Sequence, residues 1–200
     1  MQAPLLMPFI NALEKLAPLS EECRVALRAV AKPKSYQKEY MLVSIGQISN
    51  TLYFVESGLL RIFYYPDTDP DTEEATSWFG QEGGFVSSIK SFLTQQPSAE
   101  CVQVLEDSQL WAIQKADLDA LFIAFPELNY HFRVIYEKYM VAYENRMQML
   151  RTKDSVKRYA LFLATYPKLA NRLKIKHLAR FLNLHPDTLS RIRSIPPTKA

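Results

Sequence analysis

Asp187 and Arg191 stand four residues apart near the end of this 200-residue chain, in a run from Lys174 to Arg193 that is rich in cations. An aspartate can accept a hydrogen bond from a cytosine amino group, and an arginine can give two parallel ones to guanine. At helical i,i+4 spacing the same two residues could also form a surface ion pair worth about 0.2–0.5 kcal/mol. Thr188, Ser190 and Arg193 add candidates for base or backbone contacts. Lys174, Lys176, His177 and Arg180 suit phosphates, which position a protein on DNA without specifying sequence. A second group with chemical potential is Gly83-Gly84-Phe85, followed by Ser87 and Ser88. Paired glycines ahead of a short helix could turn backbone N–H groups toward an anion, although a tight turn is their commoner meaning.

The elements that must position the first group can be read from spacing. Leu178, Ala179 and Leu182 fall on one helical face, and Asn183 can adopt the left-handed conformation that stops a helix sharply. Pro186 then suits the first position of a new helix, with Asp187 complementing the helix dipole and Leu189 and Ile192 pointing inward. Two helices joined in this way form a helix-turn-helix, the second being the one offered to the DNA major groove. An ordinary helical hairpin has the same spacing, so the rest of the chain must discriminate.

Charge does so. The net charge of +3 hides an asymmetry: Ile62 to Phe132 holds two lysines against twelve acids, whereas Arg133 to Ala200 holds fifteen cations against four acids. A basic segment that coincides with a helix-turn-helix pattern is what phosphate neutralisation requires. Apolar content of 48% and charged content of 22% describe an ordinary globular protein. Charges break every long apolar window, so no membrane span is expected, and the start lacks the pattern of a secretory signal. Two cysteines, Cys23 and Cys101, are too few for a disulfide framework and read as buried thiols in a reducing cytoplasm.

Residues Phe9 to Ala31 are expected as two helical pieces separated at Pro18, with Ser20 opening the second. From Lys34 to Ile113 the pattern is one of short strands: Tyr36–Val43, Leu52–Val55 and Leu59–Tyr65 as a hairpin about Gly58, Thr76–Phe79, Cys101–Leu105 and Gln109–Ile113. Asp67 to Glu74 is an acidic loop without the spaced ligand set of a calcium site. Lys115 to Phe125 is a helix, and a longer one runs from Glu127 to Arg151. In it Leu128, Phe132, Ile135, Tyr139 and Ala142 recur at alternating four and three, a coiled-coil seam suited to dimerisation, which Arg146 interrupts toward its C-terminal end. Beside it lies a second stripe, Tyr136, Met140, Tyr143, Met147 and Leu150. Asp154 to Tyr166 is a further amphipathic helix, and the tail after Ser194 cannot remain helical through its two prolines. The expected fold class is α+β: N-terminal helices with a double-stranded β-roll of jelly-roll type over residues 1–126, a dimerisation helix over 127–151, and a small helical domain over 152–200.

This order of parts resembles the Crp/Fnr superfamily of transcription regulators over nearly the whole chain. Gly58, Gly83-Gly84-Phe85 and Leu178 to Arg193 are the most specific matches. The resemblance implies a homodimer that reads a palindromic site in double-stranded DNA, with RNA polymerase as a further partner and no enzymatic activity. It implies base contacts at the positions of Pro186, Asp187 and Arg191, of which Pro186 has no side-chain hydrogen bond to offer. Cyclic-nucleotide-binding relatives follow the cassette opening with Gly-Glu, where the Glu holds the ribose, and place an Arg before the next strand for the cyclic phosphate. Here those positions hold Ser87-Ser88 and the segment Gln96-Pro97-Ser98-Ala99, and no Arg occurs between Arg61 and Arg133. A degenerate pocket of Gly83, Gly84, Phe85, Ser87, Ser88 and Ser98 is therefore expected, with cyclic AMP not the effector. Iron–sulfur relatives use several N-terminal cysteines, and only Cys23 is present; His131, His177 and His185 are scattered, so neither metal nor cofactor is expected. Relatives follow the recognition helix with a β-hairpin wing, whereas this sequence ends seven residues after Arg193, so the expected reader is wingless. The alternative is a ligand- or protein-binding module of the same fold that has lost specific DNA binding.

Overall fold

The structure is a computed structural model that describes residues 8–66 and 73–194. The N-terminal Met1–Pro4 stretch, most of the acidic loop (all but Glu73 and Glu74) and the proline tail lie outside the described residues. Helices α1 (Pro8–Glu14) and α2 (Glu21–Val30) open the described chain. Ser20 caps α2 by accepting from the Cys23 N–H at 3.2 Å, as its position before the helix suggests. The neighbouring Cys23 is fully buried, and burial, with Glu127 second, pushes its thiol up to about 12. It is an inert core residue.

Eight strands follow: β1 (Lys32–Tyr36), β2 (Met41–Val43), β3 (Thr51–Ser57), β4 (Leu59–Tyr64), β5 (Ala75–Gln81), β6 (Phe85–Val86), β7 (Cys101–Val104) and β8 (Ser108–Gln114), with helix α3 (Ile89–Thr94) between β6 and β7. They form two four-stranded sheets, ordered β1-β8-β3-β6 and β2-β7-β4-β5. The single strand expected over Tyr36–Val43 is two, because Glu39 turns at φ 69° between them. Gly58 is left-handed, at φ 110°, but β3 and β4 are not the paired hairpin that the sequence suggests. Gly58 is the corner at which the chain leaves one sheet for the other, and a Cβ there would collide with Ser108.

Alternation along the strands decides which core each side chain enters. On β3, Leu52 and Phe54 join Phe9, Leu27, Phe92 and Leu118 in a helix-facing core, whereas Tyr53 and Val55 join Leu60, Ile62, Val102, Val104 and Leu110 in a core that draws on both sheets. Burial, with Tyr36 second, raises the Tyr53 phenol above its ordinary value. Helix α4 (Lys115–Ala124) and the long α5 (Glu127–Arg151) follow β8. Phe132 of α5 is buried in the helix-facing core, where it meets Phe85 and Phe122 with ring centroids at 5.6 and 4.9 Å.

The chain forms two compact units: the described residues up to Tyr64 with Trp78–Tyr136, and Tyr65–Ser77 with the residues from Glu137 onward. Glu73 and Glu74, just ahead of β5, group with the C-terminal helices. Those helices are α6 (Ser155–Thr165), α7 (Ile175–Phe181) and α8 (Pro186–Ser194). No helix among the described residues is long and apolar enough to cross a membrane.

Candidate functional site

Two places carry the residues singled out above, the cassette around Gly83 and the helix pair α7–α8. In the cassette, Gly83 is left-handed at φ 82° and forms a tight turn. Its N–H donates to Val55 O at 2.9 Å, and the Gly84 N–H donates to Gln81 O at 3.0 Å. Both glycine donors are thus engaged by the turn and by β3, and neither is offered to an anion. Phe85 pairs with Phe54 across the sheet and packs on its ring at 5.2 Å.

The serines are equally committed. Ser87 donates its only hydroxyl proton to Thr51 O at 3.0 Å, so Ser49 must be the donor in the 2.9 Å contact between the two hydroxyls. Ser98 donates to Glu100 O at 2.7 Å, so Ser88 donates to Ser98 at 2.8 Å. All four are buried. These serines form two separate hydroxyl pairs, each ending on a backbone carbonyl. Arg61 does not substitute for the missing arginine. Its neighbours Leu60 and Ile62 enter the core shared by the sheets, so period-two alternation turns Arg61 to the opposite face. There it donates to Gln103 at 2.8 Å and lies 4.0 Å from the Phe63 ring centre.

Helix α7 ends in a complete left-handed cap. Asn183 has φ 53°, the Leu184 N–H reaches back to Ala179 O at 2.9 Å, and the Asn183 N–H reaches Arg180 O at 3.4 Å. That is the Schellman pattern, which satisfies carbonyls the helix end would otherwise leave open. The buried Arg158 of α6 serves two of the remaining ones, donating to Leu182 O at 2.8 Å and Asn183 O at 3.2 Å while it also holds Thr152 O. Sequence reading missed Arg158, because nothing in an amphipathic helix marks which arginine will turn inward. His185 then caps α8 by accepting from the Asp187 N–H at 3.3 Å. Leu178, Ala179, Leu182 and Leu189 are fully buried, which fixes one helix against the other.

The outer face of α8 is polar. Asp187, Ser190, Arg191 and Arg193 are exposed, and Thr188 is half-buried. Asp187 and Arg191 do not form the anticipated ion pair: the Asp187 carboxylate lies beside His185 at 3.5 Å, and Arg191 Nε donates to the Asp187 carbonyl at 3.4 Å. The Arg191 fork is therefore not held by a carboxylate of its own helix.

On α7 the expected phosphate contacts have acidic neighbours. Lys176 is exposed, with Glu74 at 3.8 Å; His177 is buried, also with Glu74 at 3.8 Å; and Arg180 is paired with Glu73. The expected phosphate contacts His177 and Arg180 thus face the acidic strap between β4 and β5. In β5, Thr76 O accepts from Arg146 of α5 at 2.8 Å, and the Arg146 guanidinium lies 4.5 Å from the ring centre of Phe181 at the end of α7.

On α5 the expected dimer seam is largely turned inward. Phe132 is buried, Ile135 packs on the helix-facing core, Tyr139 and Ala142 are half-buried, and Arg146 and Met149 are buried further along the same stripe. The exposed large apolar residues of α5 are Tyr136, Met140 and Tyr143 of the second stripe, together with Val141 and, near the helix start, Tyr130.

Residues 33–124 match the family model of the cyclic nucleotide-binding domain. Among solved structures, the chain is similar to the c-di-GMP-responsive global regulator CLP of Xanthomonas campestris, with a TM-score of 0.69, 19% identity, and coverage of 86% of this chain and 89% of that one. It is similar to FixK2 of Bradyrhizobium japonicum with a TM-score of 0.71, 17% identity and coverage of 82% and 83%. A transcriptional regulator of the Crp/Fnr family from Eubacterium rectale gives a TM-score of 0.68, 14% identity and coverage of 87% and 82%. No curated protein matches. At these identities the likeness is one of fold, a mixed helical and antiparallel-sheet architecture shared with such regulators.

Proposed function

We propose that this chain is a DNA-binding transcription regulator of the Crp/Fnr type that acts as a homodimer and does not respond to cyclic AMP. The observation that carries the reading is the α7–α8 pair. A recognition-type helix presents Asp187, Ser190 and Arg191 outward over a fully buried seam, and a Schellman turn braced by Arg158 fixes its direction. Rigid placement matters because a bidentate arginine discriminates bases only when its fork is held in register. Structural neighbours described as transcription regulators support the role. A dimer would place two copies of α8 in successive major grooves, about 34 Å apart. RNA polymerase is the further partner consistent with such a role.

The cassette supports the second half of the proposal. With its glycine N–H groups and serine protons already directed at protein acceptors, binding cyclic AMP would require breaking internal hydrogen bonds without an arginine or glutamate to replace them. Selection of duplexes from a random pool by the purified protein tests the reading. A palindromic consensus is expected, and recovery of an unstructured pool would refute it, favouring the module that has lost specific DNA binding. Calorimetry with cyclic AMP is expected to show no micromolar binding; a saturable micromolar isotherm would overturn the degenerate pocket.

A further inference from the structure

Three successive carbonyls at the end of α7 are held by two buried arginines from different helices. Arg146 of α5 donates to Phe181 O at 3.4 Å, and Arg158 of α6 donates to Leu182 O and Asn183 O. Past the last helical turn such carbonyls have no intrahelical partner, and here they lead into the turn from which α8 departs. Arg146 also donates to Thr76 O of β5 at 2.8 Å and lies against the Phe181 ring. We infer that Arg146 is a positioning residue for half-site spacing. By fixing the end of α7 to α5, it holds the two recognition helices of a homodimer at one separation and one relative angle. This role rests on the DNA-binding homodimer proposed above and adds to it the residue that carries the geometry of the dimer to the reader.

Two observations carry it. The first is placement. Residues 137–151 of α5 share one compact unit with α6, α7 and α8. In that stretch the exposed apolar residues Met140, Val141 and Tyr143 all lie within two turns before Arg146. Helices bend only gently over such a length, so a second copy seated on those residues is joined to the end of α7 by a nearly straight segment and one guanidinium.

The second is the choice of residue. Arg146 interrupts an apolar stripe, between half-buried Ala142 and buried Met149, and is itself only 9% exposed. An apolar side chain of similar length would fill the place without the cost of burying a charge. It would forgo direction. Apolar contact is non-directional, whereas a guanidinium fork fixes where each of its acceptors stands. Setting register between packed elements is the best-attested use of a buried polar group that costs stability.

The test is the full chain carrying Arg146→Met, compared with wild type by fluorescence anisotropy on three duplexes. These are the site that wild type selects, the same site with two base pairs inserted at its centre, and a single half-site. The insertion moves the half-sites apart by about 7 Å and rotates one against the other by about 70°. Wild type is expected to lose at least about thirtyfold in affinity on the insertion, because the second contact no longer benefits from tethering. Arg146→Met is expected to lose about threefold or less, chiefly by binding the selected spacing more weakly, with half-site affinity within about threefold of wild type. An insertion penalty equal to that of wild type, or equal weakening on all three duplexes, would overturn the role, since a residue that only stabilises the fold does not act on spacing. A wild type that selects a site but tolerates the insertion would overturn it too, leaving the DNA-binding reading intact. Failure of wild type to select any site would overturn that reading and this role with it. Should Arg146→Met fail to fold, Arg146→Lys keeps the charge without the fork. Its expected insertion penalty is smaller than that of wild type, and an equal penalty would overturn the role.

Discussion

At the scale of single residues, what separates a functional side chain from a structural one here is whether its hydrogen-bonding capacity is already used. Arg158, Arg180 and Arg191 are equally basic in sequence, yet Arg158 is consumed by backbone carbonyls, Arg180 meets Glu73, and Arg191, among the described residues, donates to the carbonyl of Asp187. In the proposed DNA-binding role, Arg191 is therefore the cation best placed to read a base. Arg191→Ala is expected to cost roughly 1–3 kcal/mol on the selected site and to relax preference at one base pair per half-site. Competition binding against single-base variants of that site measures this, and uniform weakening of every variant would make Arg191 a phosphate contact. The serines show the same logic in reverse. Ser87, Ser88 and Ser98 were legible as a departure from a nucleotide pocket, because residue type alone shows that a carboxylate and a guanidinium are missing. That the Ser87 proton is taken by Thr51 O, 36 residues earlier in the chain, was not legible.

At the scale of elements, turns and helices were readable wherever a local rule sufficed. Ser20 before α2, Asn183 after α7 and Pro186 at the start of α8 all act through neighbours within a few residues, and each stands where those rules put it. Pairing of strands is non-local, and there the reading failed at Gly58. A glycine between two apolar runs looks the same whether the strands pair or part into different sheets. The support of the α7–α8 turn is likewise non-local. It depends on Arg158, whose guanidinium reaches Leu182 O, Asn183 O and Thr152 O. Arg158→Ala would leave those carbonyls without their donor and should cost about 2–3 kcal/mol of local stability. Arg158→Lys should recover less than half, because one ammonium cannot reproduce a planar fork that spans residues 152 and 183. Native-state hydrogen exchange of the α7 and α8 amides is the measurement, with at least tenfold faster exchange expected in the alanine variant. Unchanged exchange would show that the buried seam alone sets the turn.

At the scale of the whole molecule, the charge asymmetry was the strongest sequence signal, and the structure gives it a local counterpart. The acidic middle and the basic last third meet where Glu73 and Glu74 face α7. The proposed dimerisation is expected to draw on α5. A stripe with alternating three and four spacing is apolar whether it faces a partner or its own domain, so periodicity could not choose between two neighbouring stripes. Phe132 and Met149 on the first stripe are buried within the chain, whereas on the second Met140 is 73% exposed and Tyr143 57%, with Val141 beside them at 62%. Leaving these residues in water is unfavourable by about 25 cal/mol for each Å² of apolar surface, and pairing with a second copy of α5 would remove that exposure from both subunits. The proposed homodimer should therefore form through Tyr136, Met140 and Tyr143. Met140→Glu combined with Val141→Glu sets like charges across a two-fold contact and should yield a monomer in sedimentation equilibrium, with each unit still folded. The monomer should lose the palindrome far more than a single half-site, because the second contact no longer benefits from tethering. Ala142→Glu is the counter-test: if it disrupts the dimer and the Met140–Val141 pair of charges does not, the inward stripe contributes the interface after all and α5 must rotate to expose it.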